Sequence, residues 1–251
     1  MTGTPIAPQR RHTLLFLRRI REFAPVFLDT EVDMSRVSRH RAEAAERGKR
    51  YSFVSYVLLA GARALVEHPQ ANAAIKGRLR PRVARFPMVS GKLALDKRLG
   101  GERIVLSTVL PNLGDASLDD IQDQVDHFRD GDPARMPEFV AVRKLHGLPW
   151  WLAPALFRRV MAPLATRPAT MGTFAVSSLG HRSVDGFHSV GGTTITLGVG
   201  RVLDRPVVRD GRVVVAPVMR LNLCFDHRVI DGAEAADLLT DIRCGLEEFT
   251  K

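Results

Sequence analysis

Asp226-His227-Arg228-Val229-Ile230-Asp231-Gly232, close to the C-terminus, is the stretch from which the rest of the chain is best read. An apolar run with strand character, 213–225, leads into it, and a helical pattern over 233–249 leads out. His227 and Asp231, four residues apart, therefore fall on a strand-to-helix turn, where a rigid scaffold can present side chains to a substrate. Histidine changes charge most easily near neutral pH, which makes it the default general base. A nearby carboxylate can fix its tautomer or hold its loop. Taken alone, such a pair is more often a structural hydrogen bond than a catalytic one.

Composition narrows the field. The 251 residues make one large domain or two small ones, and 45% hydrophobic with 25% charged residues is ordinary for a globular chain. No apolar run reaches the roughly 18 residues of a membrane-spanning helix, and the N-terminus lacks a signal-peptide core. Cys224 and Cys244 show neither metal-ligand spacing nor a disulfide framework, so no metal is expected and a reducing cytoplasm fits. The net charge of +10 points to nucleic acid, an anionic membrane surface or a phosphate-bearing cofactor or carrier, or to an arginine-rich surface with no partner. Aromatics are only 6% and are not interleaved with a basic block, which argues against nucleic acid.

The remaining pattern reads in order. Residues 1–9 form a disordered lead-in. A helix covers 10–23, a strand 26–32 and a helix 35–47, the last capped by Asp33 or Ser35 and closed by Gly48. A helix over 51–67 is apolar on more than one face and should be buried, with His68-Pro69 stopping it. A short segment from Asn72 turns at Gly77, and strands over 83–95 and 103–110 join at Gly100-Gly101. Ser117-Leu118-Asp119-Asp120 has the form of a capping box, opening a helix with Leu118, Ile121, Val125 and Phe128 on one face. Residues 135–164 continue helically and hold Pro149-Trp150-Trp151. That segment reads as a membrane-surface helix, an entrance for an apolar substrate or, preferred here, ordinary packing or a subunit contact, because Trp is mostly buried. Strands follow at 173–179 and 193–202, then a hairpin over 207–225 turning at Asp210-Gly211. Gly198-Val199-Gly200 lacks a third glycine and a following helix, so it is no dinucleotide fingerprint.

Two motifs, Gly172-Thr173-Phe174-Ala175-Val176-Ser177-Ser178-Leu179-Gly180 and Asp226 to Gly232, carry a resemblance. With the 50 residues between Ser177 and His227 and the order of elements around them, the chain from about Arg10 resembles the catalytic domain of the 2-oxoacid dehydrogenase complex acyltransferases, the dihydrolipoamide acyltransferases. The resemblance implies a chloramphenicol acetyltransferase-like fold of α/β class. That fold is an α+β two-layer sandwich with a mixed sheet flanked by helices, filling 10–251. It implies acyl transfer between coenzyme A, or a lipoyl or other thiol carrier, and a thiol or hydroxyl acceptor. His227 would be the general base, Ser177 the oxyanion donor, and Asp231 the support of the histidine loop through an arginine, Arg10 or Arg11. Coenzyme A or its acyl thioester would be substrate, lipoamide would act in trans, and the active site would lie between subunits of a homotrimer or a larger assembly.

The chain also departs from the family. No lipoyl domain or linker precedes residue 10, so a self-sufficient swinging arm is not expected. The usual Gly-Leu-Val-Val-Pro-Val pattern is lost at Ile104-Val105-Leu106-Ser107-Thr108-Val109, and the Trp150-Trp151 segment is longer and more apolar, which points to a larger apolar acyl group or acceptor. A catalytically silent trimeric scaffold is the competing expectation, against which the retained His227, Asp231 and Ser177 count.

Overall fold

The computed structural model describes residues 3–77 and 79–250. Its strands are β1 (Pro25–Asp33), β2 (Ala73–Lys76), β3 (Arg82–Arg85), β4 (Gly91–Leu99), β5 (Glu102–Leu110), β6 (Phe174–Ser178), β7 (Ile195–Arg209) and β8 (Arg212–Asp226). β2 pairs with β3 alone, and the others form one sheet in the order β1-β8-β7-β6-β4-β5. β6 runs parallel to β4 and β7, and the other neighbours are antiparallel. The expected mixed sheet flanked by helices is thus what forms.

Two strand expectations are corrected. Residues 83–95 are not one strand: Pro87 has no N–H for a ladder, so 82–85 turn away to pair with β2 and β4 starts at Gly91. Conversely, 193–202 and the first half of the 207–225 hairpin are a single strand, β7, with a register shift between Val199 and Val202. Pro206 is tolerated there because this part of β7 pairs only with β8. Both hairpins turn as expected, on two residues with positive φ: Gly100 (58°) and Gly101 (82°), and Asp210 (50°) and Gly211 (73°).

The helices are α1 (Arg11–Ile20), α2 (Ser35–Glu46), α3 (Phe53–Glu67), α4 (Leu118–Asp130), α5 (Val140–Gly147), α6 (Ala153–Met161), α7 (Arg167–Thr170) and α8 (Gly232–Glu247). A 3-10 turn at Pro8–Arg10 precedes α1, so regular structure begins inside the segment read as a disordered lead-in, whose residues 1 and 2 lie outside the described part. The capping box at Ser117 is present, with Asp120 answering its backbone. α3 is buried, as its sequence demands, against β6, β7 and α8. Gly61 lets it approach: a Cβ there would lie 3.1 Å from Phe174 and 3.2 Å from Leu197.

Alternation along the strands divides their side chains. Phe174, Val176, Leu197, Leu221, Leu223 and Phe225 enter the core beneath α3 and α8. Ala175, Ser177, Thr196, Asn222, Cys224 and Asp226 face the other way. The 180–192 stretch lies over that second face, with the Phe187 N–H donating to Asn222 Oδ1 (3.0 Å) and the Gly191 N–H to Thr196 Oγ1 (2.9 Å). Its backbone comes so close that a Cβ at Gly198 would stand 2.3 Å from the Phe187 carbonyl oxygen. That contact, not a phosphate, explains the glycine.

Candidate active site

β8 ends at Asp226 and α8 begins at Gly232, so the singled-out stretch is the strand-to-helix turn its sequence predicts. The Asp226 side chain is only 2% exposed. Arg228 grips it with two donors, Nε to Oδ1 at 2.8 Å and Nη2 to Oδ2 at 2.6 Å. The Ala24 N–H adds a bond to Oδ1 at 3.3 Å. A buried carboxylate satisfied this way holds its surroundings in one geometry. The guanidinium also lies over the Phe23 ring, 5.2 Å from its centroid. The His227 N–H is tied to the Ala24 carbonyl at 2.9 Å, so the backbone on both sides of the histidine is fixed.

The imidazole itself stays accessible, with its side chain 46% exposed and Nδ1 3.4 Å from Asp231 Oδ1. Asp231 is the N-cap residue of α8, where the helix dipole favours an anion, and its side chain is 90% exposed. The structure therefore brings His227 and Asp231 together. It does not supply the expected Arg10 or Arg11 partner for Asp231. Arg11 instead donates to the carbonyls of Leu145, His146 and Leu148 at the C-terminal end of α5. The arginine that holds this turn is Arg228, through Asp226. The available signal was an acid closing a buried strand with an arginine two positions on.

Ser177 lies in β6 opposite Gly198, which lies opposite Asn222 in β8. His227 is two strand spacings away, about 10 Å, and five residues along, about 16 Å, which places the two roughly 19 Å apart. Within one chain they do not meet.

Other reactive groups are committed elsewhere. His68 bonds Glu234 and Asp241 at 2.9 Å each. Burial pushes its pKa down, but the two carboxylates outweigh that and raise it, so it serves as a clamp between the end of α3 and α8. The Cys224 thiol is pushed up to about 12 by burial, aided by Asp226, and carries no thiolate at neutral pH. Lys92, buried behind Phe16, donates to the Gly191 carbonyl at 3.0 Å, and burial lowers its pKa to about 8. Trp150 and Trp151 do not pack within the chain, which leaves the subunit-contact half of the preferred expectation standing. They are 79% and 64% exposed, because this segment turns Ala153 and Phe157 inward instead.

With this geometry in hand, comparison with known proteins is direct. Residues 163–251 match the family of 2-oxoacid dehydrogenases acyltransferase (catalytic domain). The dihydrolipoyllysine-residue acetyltransferase component of the pyruvate dehydrogenase complex of Bacillus subtilis is 28% identical over 222 residues, 87% of this chain and 43% of the relative. The chain thus spans less than half of that relative's length. Among solved structures, the dihydrolipoamide acetyltransferase of Azotobacter vinelandii has a TM-score of 0.74 at 21% identity, covering 99% of this chain and 92% of that one. A chloramphenicol acetyltransferase has a TM-score of 0.52 at 18% identity, covering 98% and 96%. The resemblance and the fold read from the sequence are borne out.

Proposed function

We propose that this chain is an acyltransferase domain moving an acyl group between coenzyme A, or a lipoyl or other thiol carrier, and a thiol or hydroxyl acceptor. The observation that carries the reading is the 226–232 turn. Its backbone is immobilised by the ion pair of buried Asp226 with Arg228, and its histidine is left open to solvent. His227, with Nδ1 toward Asp231, takes the acceptor's proton on Nε2. The acceptor sulfur or oxygen adds to the thioester carbonyl, and the tetrahedral oxyanion needs a preorganised donor. Ser177 is that donor. Collapse breaks the carbon–sulfur bond, and the departing thiolate recovers the proton from His227. No covalent enzyme intermediate is required.

The roughly 19 Å between Ser177 and His227 within one chain supports a site closed by two subunits, with the serine arriving from a neighbour. A homotrimer, alone or within a larger assembly, is the arrangement proposed. The β7–β8 arm leaves Val208, Val213 and Val215 more than 70% exposed, an apolar edge that a neighbour can cover. The Azotobacter relative was investigated for the roles of a serine, a histidine and an asparagine four residues after it in its catalytic mechanism. Asp231 holds that fourth place here. The two free cysteines fit a reducing compartment such as the cytoplasm.

The test is thiol release from a panel of acyl-coenzyme A donors, with and without dihydrolipoamide, by parent and His227→Ala protein. The variant should lose roughly 10²–10⁴-fold in kcat, the usual worth of a general base, with an unchanged circular dichroism spectrum. Equal rates would favour the silent scaffold.

A further inference from the structure

The 150–161 segment has a composition and exposure that acyl transfer does not require. Trp150, Trp151, Leu152, Leu156 and Val160 are 79%, 64%, 38%, 43% and 46% exposed. Leu152, Leu156 and Val160 follow one another at four-residue spacing and so form one stripe along α6. The helix is held from beneath, where Ala153 and Phe157 pack with Leu15 of α1 and Leu145 of α5. The stripe is therefore presented outward by a fixed base. It also lies before residue 163, where the family match begins.

The charge along the flanking segments is one-sided up to Glu22, which lies near Arg19. Residues 139–184 contain no Asp or Glu but hold Arg143, Lys144, Arg158, Arg159, Arg167 and Arg182. Residues 1–21, which include α1, likewise contain no acid and hold five arginines. Lys144, Arg158 and Arg159 are exposed, as are Arg10, Arg18 and Arg21 of the neighbouring N-terminal elements. Two copies meeting face to face through this surface would oppose like charges. A substrate pocket would enclose most of its ligand, whereas these side chains stand open. An anionic bilayer satisfies every feature: tryptophans at headgroup depth, short aliphatic side chains against the acyl boundary, and arginines on lipid phosphates.

We propose that Trp150, Trp151 and the outer stripe of α6 dock this protein onto an anionic membrane surface. The two tryptophans are the only ones in the chain, so intrinsic tryptophan emission reports on this face alone. The experiment is flotation and fluorescence of the full chain with vesicles of phosphatidylcholine, or of equal parts phosphatidylcholine and phosphatidylglycerol. The parent should float with the anionic vesicles, shift its emission to the blue and release at high salt. Trp150→Ala/Trp151→Ala and Arg158→Gln/Arg159→Gln should each weaken binding at least about tenfold, because apolar insertion and charge act together. All substituted positions are exposed, so folding should persist, checked by circular dichroism. Parent binding no better to anionic than to neutral vesicles overturns the proposal. So does a double tryptophan variant that binds like the parent. A fall in solution mass on removing the tryptophans, without vesicle binding by the parent, assigns the face to a second copy and overturns it as well. Turnover of soluble thioesters should be unchanged in both variants, so this test can fail independently of the proposed acyl transfer.

Discussion

Two regions of the sheet bury charge under different terms. At the end of β8, Asp226 is enclosed with a guanidinium fork and a backbone donor, so its charge is answered on every side. In β4, beside the β6 strand that carries Ser177, Lys92 is enclosed with one carbonyl and the face of Phe16, and among the described residues no carboxylate bonds it. The first arrangement makes a turn that stands ready without help. The second leaves a buried cation on the face where Ser177 emerges. In the proposed split site, the base would be held within one chain and the oxyanion donor would come from a neighbour.

Three substitutions probe that contrast, taken from the largest effect down. Asp226→Ala removes the acceptor of both Arg228 bonds and of the Ala24 N–H and should cost about 2–4 kcal/mol of stability in chemical denaturation, with acyl transfer falling as the turn loosens. A loss under about 1 kcal/mol would show that the fork does not hold the turn. Ser177→Ala should lower kcat roughly 10²–10³-fold with little change in KM, as expected for a contact made only in the transition state. An unchanged kcat removes the serine from the chemistry.

Lys92→Met should stabilise the protein, by at most about 3 kcal/mol at neutral pH, since a pKa lowered from 10.5 to about 8 measures the cost of enclosing the cation. Below pH 8 the lysine is charged in folded and unfolded chains alike, and the whole penalty applies. As pH rises from 8 to 10.5 the folded form gives up its proton first, so parent stability should climb toward that of the variant. A gap between the two that does not narrow over this range would place the cost of Lys92 elsewhere.

Much of this was legible in the sequence. The alternation in β1, the capping box at Ser117 and the Gly100-Gly101 and Asp210-Gly211 turns announced themselves because each rests on local backbone chemistry. What depended on partners was hidden. Whether Pro87 breaks a strand and Pro206 does not is decided by which strands lie alongside. The average burial of tryptophan does not place Trp150 and Trp151 in the core of this chain, because the short helix after them has inward places only for Ala153 and Phe157. The site was half legible. His227 and Asp231 are close in sequence and meet. The fork of Asp226 with Arg228 depends on the burial of Asp226, which the local sequence does not show, and no count of residues between Ser177 and His227 reveals how far apart the sheet register puts them.

The central claim, a site shared between subunits, is tested most directly by mixing. His227→Ala and Ser177→Ala chains, each inactive as a pure protein, would be co-expressed, and the mixed assemblies assayed for thiol release. If the serine of one subunit serves the histidine of the next, mixed assemblies contain intact sites and activity should rise far above that of either variant. Activity that stays at the level of the single variants would contradict the account.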